Sequence, residues 1–226
     1  MRQQRGFTLV EVMVAIGILA LVAVLSWRGL DGMVRAQTVT QQRSDQIVIT
    51  QTALAQWRAD LNAVVQVPGT AALDWDGLVL RVTRRNVADP GAGLLVVGWA
   101  QRLVDGRNQW MRWQSPPLRT RGDLQAAVQR VAAWARNPGD DDRRREVALM
   151  PVAEWQVLYY RGNAWTSALS SAGTVSSTGA AGAPAATQDV ALPDGVRLLL
   201  TLPDSHPLAG RLVLDWNRPT LSGGKS

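Results

Sequence analysis

The stretch Gly6-Phe7-Thr8-Leu9-Val10-Glu11 decides how the rest of the chain is read. A short basic leader with Arg2 and Arg5 gives way there to an apolar run in which Glu11 is the only ionisable side chain as far as Trp27. Arg28 ends the run. Roughly 20 residues of this kind can cross a bilayer core as one helix, with every backbone polar group satisfied internally. A carboxylate in hydrocarbon costs about 2.5 to 3.5 kcal/mol even on insertion-based scales, so it needs a partner that lipid does not supply.

Outward from this stretch the helical pattern continues. Leu30, Met33 and Val34 are apolar, residues 35–46 are almost wholly polar, and Ile47, Leu54, Trp57, Leu61, Val64 and Val65 then recur at near-helical spacing. No proline interrupts before Pro68. The pattern predicts one helix over residues 7–65, with residues 7–27 in the membrane and residues 28–65 beyond it. The membrane part is apolar all round, the middle is a solvated neck, and the last turns present one apolar stripe to a domain. Gly29 and Gly32 are the expected soft points for bending.

Residues 66–218 read as a β-rich domain. Leu78, Leu80 and Val82 alternate with Val79, Arg81 and Thr83 at the period of a strand. The segments 93–103 and 108–114 flank Asp105-Gly106, a pair suited to the left-handed conformations of a tight hairpin turn. Residues 123–136 place Leu124, Val128, Val131 and Ala135 on one face behind an Asp cap and stop before Asn137-Pro138-Gly139, the pattern of a short amphipathic helix. Strands follow at 153–160 and, as a terminal pair, at 196–202 and 211–216. Residues 167–188 are rich in Ser, Ala, Gly and Thr, with too little apolar surface to offset ordering, so a disordered loop is expected there and a flexible tail at 219–226. The fold class is therefore α+β, a long N-terminal helix packed on an antiparallel sheet domain.

The chain has 226 residues, a formal charge of +6, and Lys225 as its only lysine. Basic balance fits nucleic acid or anionic lipid, but no basic helix or nucleic-acid module is present, so no nucleic acid partner is expected. The absence of cysteine excludes disulfides, thiol catalysis and Cys-ligated zinc. Ten tryptophans stand against one phenylalanine, each burying a large area and each requiring one acceptor for its indole N–H.

Enzyme chemistry finds little footing. His206, the only histidine, lies in Pro203-Asp204-Ser205-His206-Pro207, and Asp-Ser-His in direct succession does not make a triad. No Gly-rich phosphate loop is present. Asp74 and Asp76 beside Trp75 would suit a sugar-cleaving site, although Asp76-Gly77 is more simply a turn; Trp110 and Trp113 would suit a carbohydrate platform or the core. Asp140-Asp141-Asp142 opens a charge run whose default is a solvated loop, and it lacks the ligand spacing of a calcium loop. No catalytic residue, metal or cofactor is expected.

Arg5-Gly6-Phe7-Thr8-Leu9-Val10-Glu11 resembles the leader and cleavage site of type IV pilins and type II secretion pseudopilins. The resemblance implies a cut by a prepilin peptidase between Gly6 and Phe7, N-methylation of Phe7, and assembly in the membrane through Glu11. The new cationic amino group of one subunit would meet Glu11 of its neighbour, two charges acceptable together where neither is alone. Softer matches at residues 54–61, at 152–160 followed by Gly162 and Trp165, and at Leu192-Pro193 with Val196-Arg197-Leu198 resemble the J branch of the minor pseudopilins of type II secretion. That resemblance departs at about 121–145 and 167–188. It implies a single-pass inner-membrane protein with its C-terminal domain in the periplasm. The implied partners are the minor pseudopilins I, K and H, the major pseudopilin G, the prepilin peptidase, the assembly platform and inner-membrane lipid. Other readings stand beside it: a secretory signal peptide cut near Val24-Leu25-Ser26, an ordinary signal anchor, a minor pilin of a type IV pilus or DNA-uptake system, and a membrane-anchored periplasmic hydrolase or carbohydrate-binding module.

Overall fold

A computed structural model describes residues 8–169 and 191–219 of the chain. Gly6 and Phe7, the expected disordered loop from residue 170 onward, and the expected tail from residue 220 lie outside the described residues. The chain divides into two compact units, residues 1–46 and 47–226.

From Leu9 onward the first unit is helical, being the N-terminal part of α1 (Leu9–Asn62). Every side chain from residue 8 to 46 is exposed. The helix is long and apolar enough to serve as a single membrane anchor. It passes through Gly29 and Gly32 without a break.

The second unit begins at Ile47 with the last turns of α1, which bury Thr50, Ala53, Trp57, Asp60 and Leu61. The helix ends at Asn62, three residues before the expected 65, because the chain there joins a sheet edge. The Arg85 N–H donates to Ala63 O at 2.9 Å and the Val65 N–H to Thr83 O at 3.0 Å. Backbone groups that a helix would have used are taken by the strand.

Two antiparallel sheets follow. The first has the order β1-β2-β3-β4-β5, built from β1 (Leu73–Trp75), β2 (Val79–Arg85), β3 (Leu94–Val104), β4 (Arg107–Gln114) and β5 (Glu146–Pro151). The second has the order β7-β6-β8-β9, from β6 (Glu154–Arg161), β7 (Ala164–Ser167), β8 (Gly195–Leu202) and β9 (Gly210–Asn217). Between β4 and β5 lie α2 (Arg121–Arg136) and the single turn α3 (Asp140–Arg143). The α+β, pilin-like architecture expected of the sequence is the one found.

The core has two compartments. One gathers Trp57 and Leu61 of α1 with Trp99, Trp110, Leu198 and Leu200, so it joins the helix to both sheets. The other holds Val96, Ala100, Met111 and Trp113 against Val131 and Trp134 of α2. β3 is thus covered on both faces, which is why residues 94–100 read as an apolar run rather than an alternation. α2 comes so close to β3 that a Cβ built on Gly98 would stand 2.5 Å from Val131 Cγ1. Only the missing side chain permits that approach.

Local corrections have local causes. The cap of α2 is Thr120, whose hydroxyl accepts from the Asp123 N–H at 3.1 Å while Asp123 Oδ2 accepts from the Thr120 N–H at 3.2 Å. The helix therefore starts at Arg121 rather than at the expected Asp123, and Asp123 is the return half of a capping box. The charge run expected as a solvated loop instead forms α3 and then β5. Asp142 is buried, bonded to the Gly139 N–H at 3.2 Å and to Arg130 Nε at 2.7 Å, and Glu146 opens the strand.

Candidate functional site

Glu11 stands in the first turn of α1. Its backbone N–H donates to Thr8 O at 3.1 Å and to Thr8 Oγ1 at 3.3 Å, so Thr8 caps the helix and Glu11 occupies the third position after the cap. Orphan N–H groups and the positive end of the helix dipole favour an anion there. The Thr8-x-x-Glu11 spacing is the local signal for this cap in the sequence. The Glu11 side chain is exposed, and the first ion pair along the described chain is Asp31 with Arg35, at 2.6 Å. Any cation that pairs with Glu11 must come from residues outside the described set or from another molecule.

A second carboxylate, not foreseen, sits where α1 enters the domain. Asp60 is fully buried and accepts from every side. Arg112 of β4 donates through Nε at 2.8 Å to Oδ2 and through Nη2 at 2.9 Å to Oδ1. Trp99 of β3 donates its indole N–H at 3.0 Å, Gln56 its amide at 3.0 Å, and Arg84 of β2 pairs with Oδ1. Burying such a charge costs several kcal/mol and is tolerable only when its lone pairs are filled, as they are here. The cluster fixes the rotation and height of the last turns of α1 against three adjacent strands. In sequence it hides within Trp57-Arg58-Ala59-Asp60-Leu61, because the arginines that complete it lie 24 and 52 residues away.

Asp74 and Asp76, the carboxylates that would suit sugar chemistry, are held by Arg81. Asp76 accepts the N–H groups of Leu78 and Val79, both at 2.9 Å, in the β1–β2 turn, where Gly77 has φ 91°. Arg81 donates to Asp76 Oδ2 at 2.8 Å and to Asp74 Oδ2 at 2.8 Å. Burial pushes the Asp76 carboxyl up, but the Val79 and Leu78 N–H groups and the Arg81 guanidinium together outweigh it and hold the group below the usual carboxylate range. Burial opposes the charge of Arg81 as well, and Asp74 followed by Asp76 reverses that, so its pKa is raised. Trp75 is buried edge-on against Trp155, with ring centroids 4.7 Å apart. A groove of about 560 Å³ runs past Trp75, Trp155, Glu154 and Arg211, but neither Asp74 nor Asp76 lines it. Trp110 and Trp113 are buried in opposite compartments of the core, so they form no shared platform.

His206 is buried and ties the β8–β9 loop to α1. Its Nδ1 accepts from the Leu208 N–H at 3.1 Å, and its Nε2 lies 3.0 Å from Thr50 Oγ1. An imidazole that accepts at Nδ1 carries its proton on Nε2 and donates from there. Asp204 and Ser205 are exposed while His206 is buried, so the three neighbours in sequence do not converge.

The indole count also needs correction. Trp99, Trp134 and Trp216 donate to Asp60, Glu146 and Asn62, but the N–H groups of Trp57, Trp110 and Trp113 find no acceptor among the described residues. Trp57 and Trp110 are instead packed ring against ring with Trp99, at centroid distances of 5.3 and 4.4 Å. Among the described residues no group of three His, Cys, Asp or Glu side chains is arranged to hold a metal ion. Asp141 and Asp142 face Arg130, and Asp141 also faces Arg144.

No curated protein matches the chain. Residues 1–27 match the family described as the prokaryotic N-terminal methylation motif, and this match, joined to the apolar helix and the antiparallel sheets, supports a pilin-like or pseudopilin protein.

Proposed function

We propose that the chain is a minor pseudopilin of a type II secretion system, a non-enzymatic subunit of the complex at the pseudopilus tip that takes part in export of folded proteins across the outer membrane. The observation that carries this reading is one carboxylate, Glu11, in the first turn of an apolar helix, within the segment that matches the methylation motif. In this reading a prepilin peptidase cuts between Gly6 and Phe7 and methylates the new amino group of Phe7. That cation meets Glu11 of the adjacent subunit as the helices pack, which sets their register in the inner membrane while the β-rich domain stands in the periplasm.

The partners of the reading are the pseudopilins I, K, H and G, with the assembly platform and inner-membrane lipid around them. The J assignment draws on the residues around Trp57 and Asp60 and on the β6 and β8 segments, which the structure builds into one core. A minor pilin of a type IV pilus or DNA-uptake system shares the same N-terminal chemistry, and the neighbouring genes separate the two.

Exchange of Glu11 for Ala tests the proposal in the native host. The expected variant is found in the membrane fraction at normal abundance, no longer co-purifies with the other pseudopilins, and impairs secretion. Normal secretion together with normal co-purification would overturn the proposal.

A further inference from the structure

Among the described residues, half of the arginines of the second unit hold a carboxylate, including Arg81, Arg84, Arg102, Arg112, Arg130 and Arg197. Arg85, Arg119 and Arg121 are exposed, and none of the ion pairs among the described residues includes them. These three line one groove of about 420 Å³, together with Val67, Leu94, Leu118 and Leu124.

The apolar side of this groove is built on backbone. Leu94 and Leu118 exchange both main-chain hydrogen bonds, at 2.9 and 2.8 Å. Gly93, at φ 118°, permits this, since a Cβ there would stand 2.2 Å from Leu118 O. Leu118 and Leu124 belong to the core beneath α2, with Val67 packed against it, so the floor is fixed before any ligand arrives. The neighbouring acids are turned to other work. Asp89 accepts the Gly91 N–H at 3.2 Å, Asp123 accepts the Thr120 N–H at 3.2 Å, and neither lines the groove.

Three guanidinium groups around one apolar slot give it a positive potential that favours an occupant bringing anions, and solvent ions screen that potential in part. The apolar floor adds a second requirement, which a free inorganic anion does not meet. Single-stranded nucleic acid is recognised by stacking on aromatic rings, and no aromatic side chain lines this groove. We infer that the groove docks an extended segment of a partner protein in which acidic side chains flank apolar ones, the apolar groups filling the floor and the carboxylates meeting Arg85, Arg119 and Arg121. Guanidinium forks suit carboxylates in two-point contact, and apolar burial supplies the rest of the affinity. This inference goes beyond the pseudopilin reading and does not depend on it.

The test uses the full chain in phosphatidylcholine nanodiscs, with fluorescence anisotropy of a labelled peptide alternating glutamate and leucine. Two further peptides carry lysine for glutamate or serine for leucine. The triple variant Arg85→Ser, Arg119→Ser, Arg121→Ser is compared with Arg58→Ser, Arg107→Ser, Arg211→Ser, which removes the same charge from exposed positions outside the groove. The expected result is binding of the glutamate–leucine peptide alone, weakened at least about tenfold in the groove variant and less than about twofold in the control. Salt raised from about 0.1 M to about 1 M, which shortens the screening length from ~10 to ~3 Å, weakens it further. Equal loss in both variants, equal binding of the serine peptide, no binding of any peptide, or groove-dependent binding to phosphatidylglycerol vesicles in its place would each overturn the inference.

Discussion

Asp60 and Asp76 are both carboxylates held by arginine, the first fully buried and the second half-buried in a turn. Asp60 has no solvent to fall back on, so Asp60→Ala leaves Arg84 and Arg112 facing an uncompensated interior. The expected loss is about 3 to 5 kcal/mol, read from denaturant unfolding followed by tryptophan fluorescence, to which Trp57 and Trp99 report directly. A loss below about 1 kcal/mol would show that the cluster does not hold α1 to the sheet. Asp76 is expected to show itself through pH. Its folded pKa lies below the ordinary 3.8, so its contribution is complete above that value and is lost as pH falls through the lower folded pKa. Unfolding midpoints of the parent and of Asp76→Asn, measured from neutral pH downward, should differ near neutrality and converge in acid; a constant difference contradicts this. Neither role was legible along the chain. Asp76-Gly77 announced a turn, but the arginine that holds Asp76 is on the next strand, and Asp60 looks like any polar residue on an exposed helix face.

At the scale of elements, what could be read was what is encoded locally. The β3–β4 hairpin was plain because Asp105 and Gly106, at φ 49° and 73°, are residue types that accept left-handed backbone at little cost. β5 has no clear local signal in the sequence: it is short, follows a charge run, and owes its place to pairing with β4 across a register shift between Trp110 and Met111. α2 starts two residues before the expected Asp123 because Asp123 is the return half of a capping box whose cap is Thr120. Thr120→Ala should therefore cost about 1 kcal/mol in thermal unfolding, and Asp123→Ala, which leaves the Thr120 hydroxyl in place, should cost less. Gly98→Ala probes the packing of α2 on β3. The new methyl meets Val131 and Trp134, and a destabilisation of about 1 to 3 kcal/mol is expected, partly relieved by adding Val131→Ala. Full additivity of the two changes would mean that the close approach does not govern the contact.

For the whole molecule, the N-terminal segment was the most legible part, since an apolar run, one acid and the residues before it are adjacent in sequence and need no folded domain to be recognised. The architecture followed from it and from strand periodicity, whereas the contacts that lock the domain together join residues far apart and appear only in three dimensions. The central claim is that a cation on one chain and Glu11 on the next neutralise each other inside the lipid. That requires the mature chain to begin at Phe7. Intact-mass and peptide analysis of the protein purified from its native membrane is the direct measurement. The expected first residue is N-methylated Phe7, and a chain starting at Met1, or beyond the apolar run that ends at Trp27, would contradict the account.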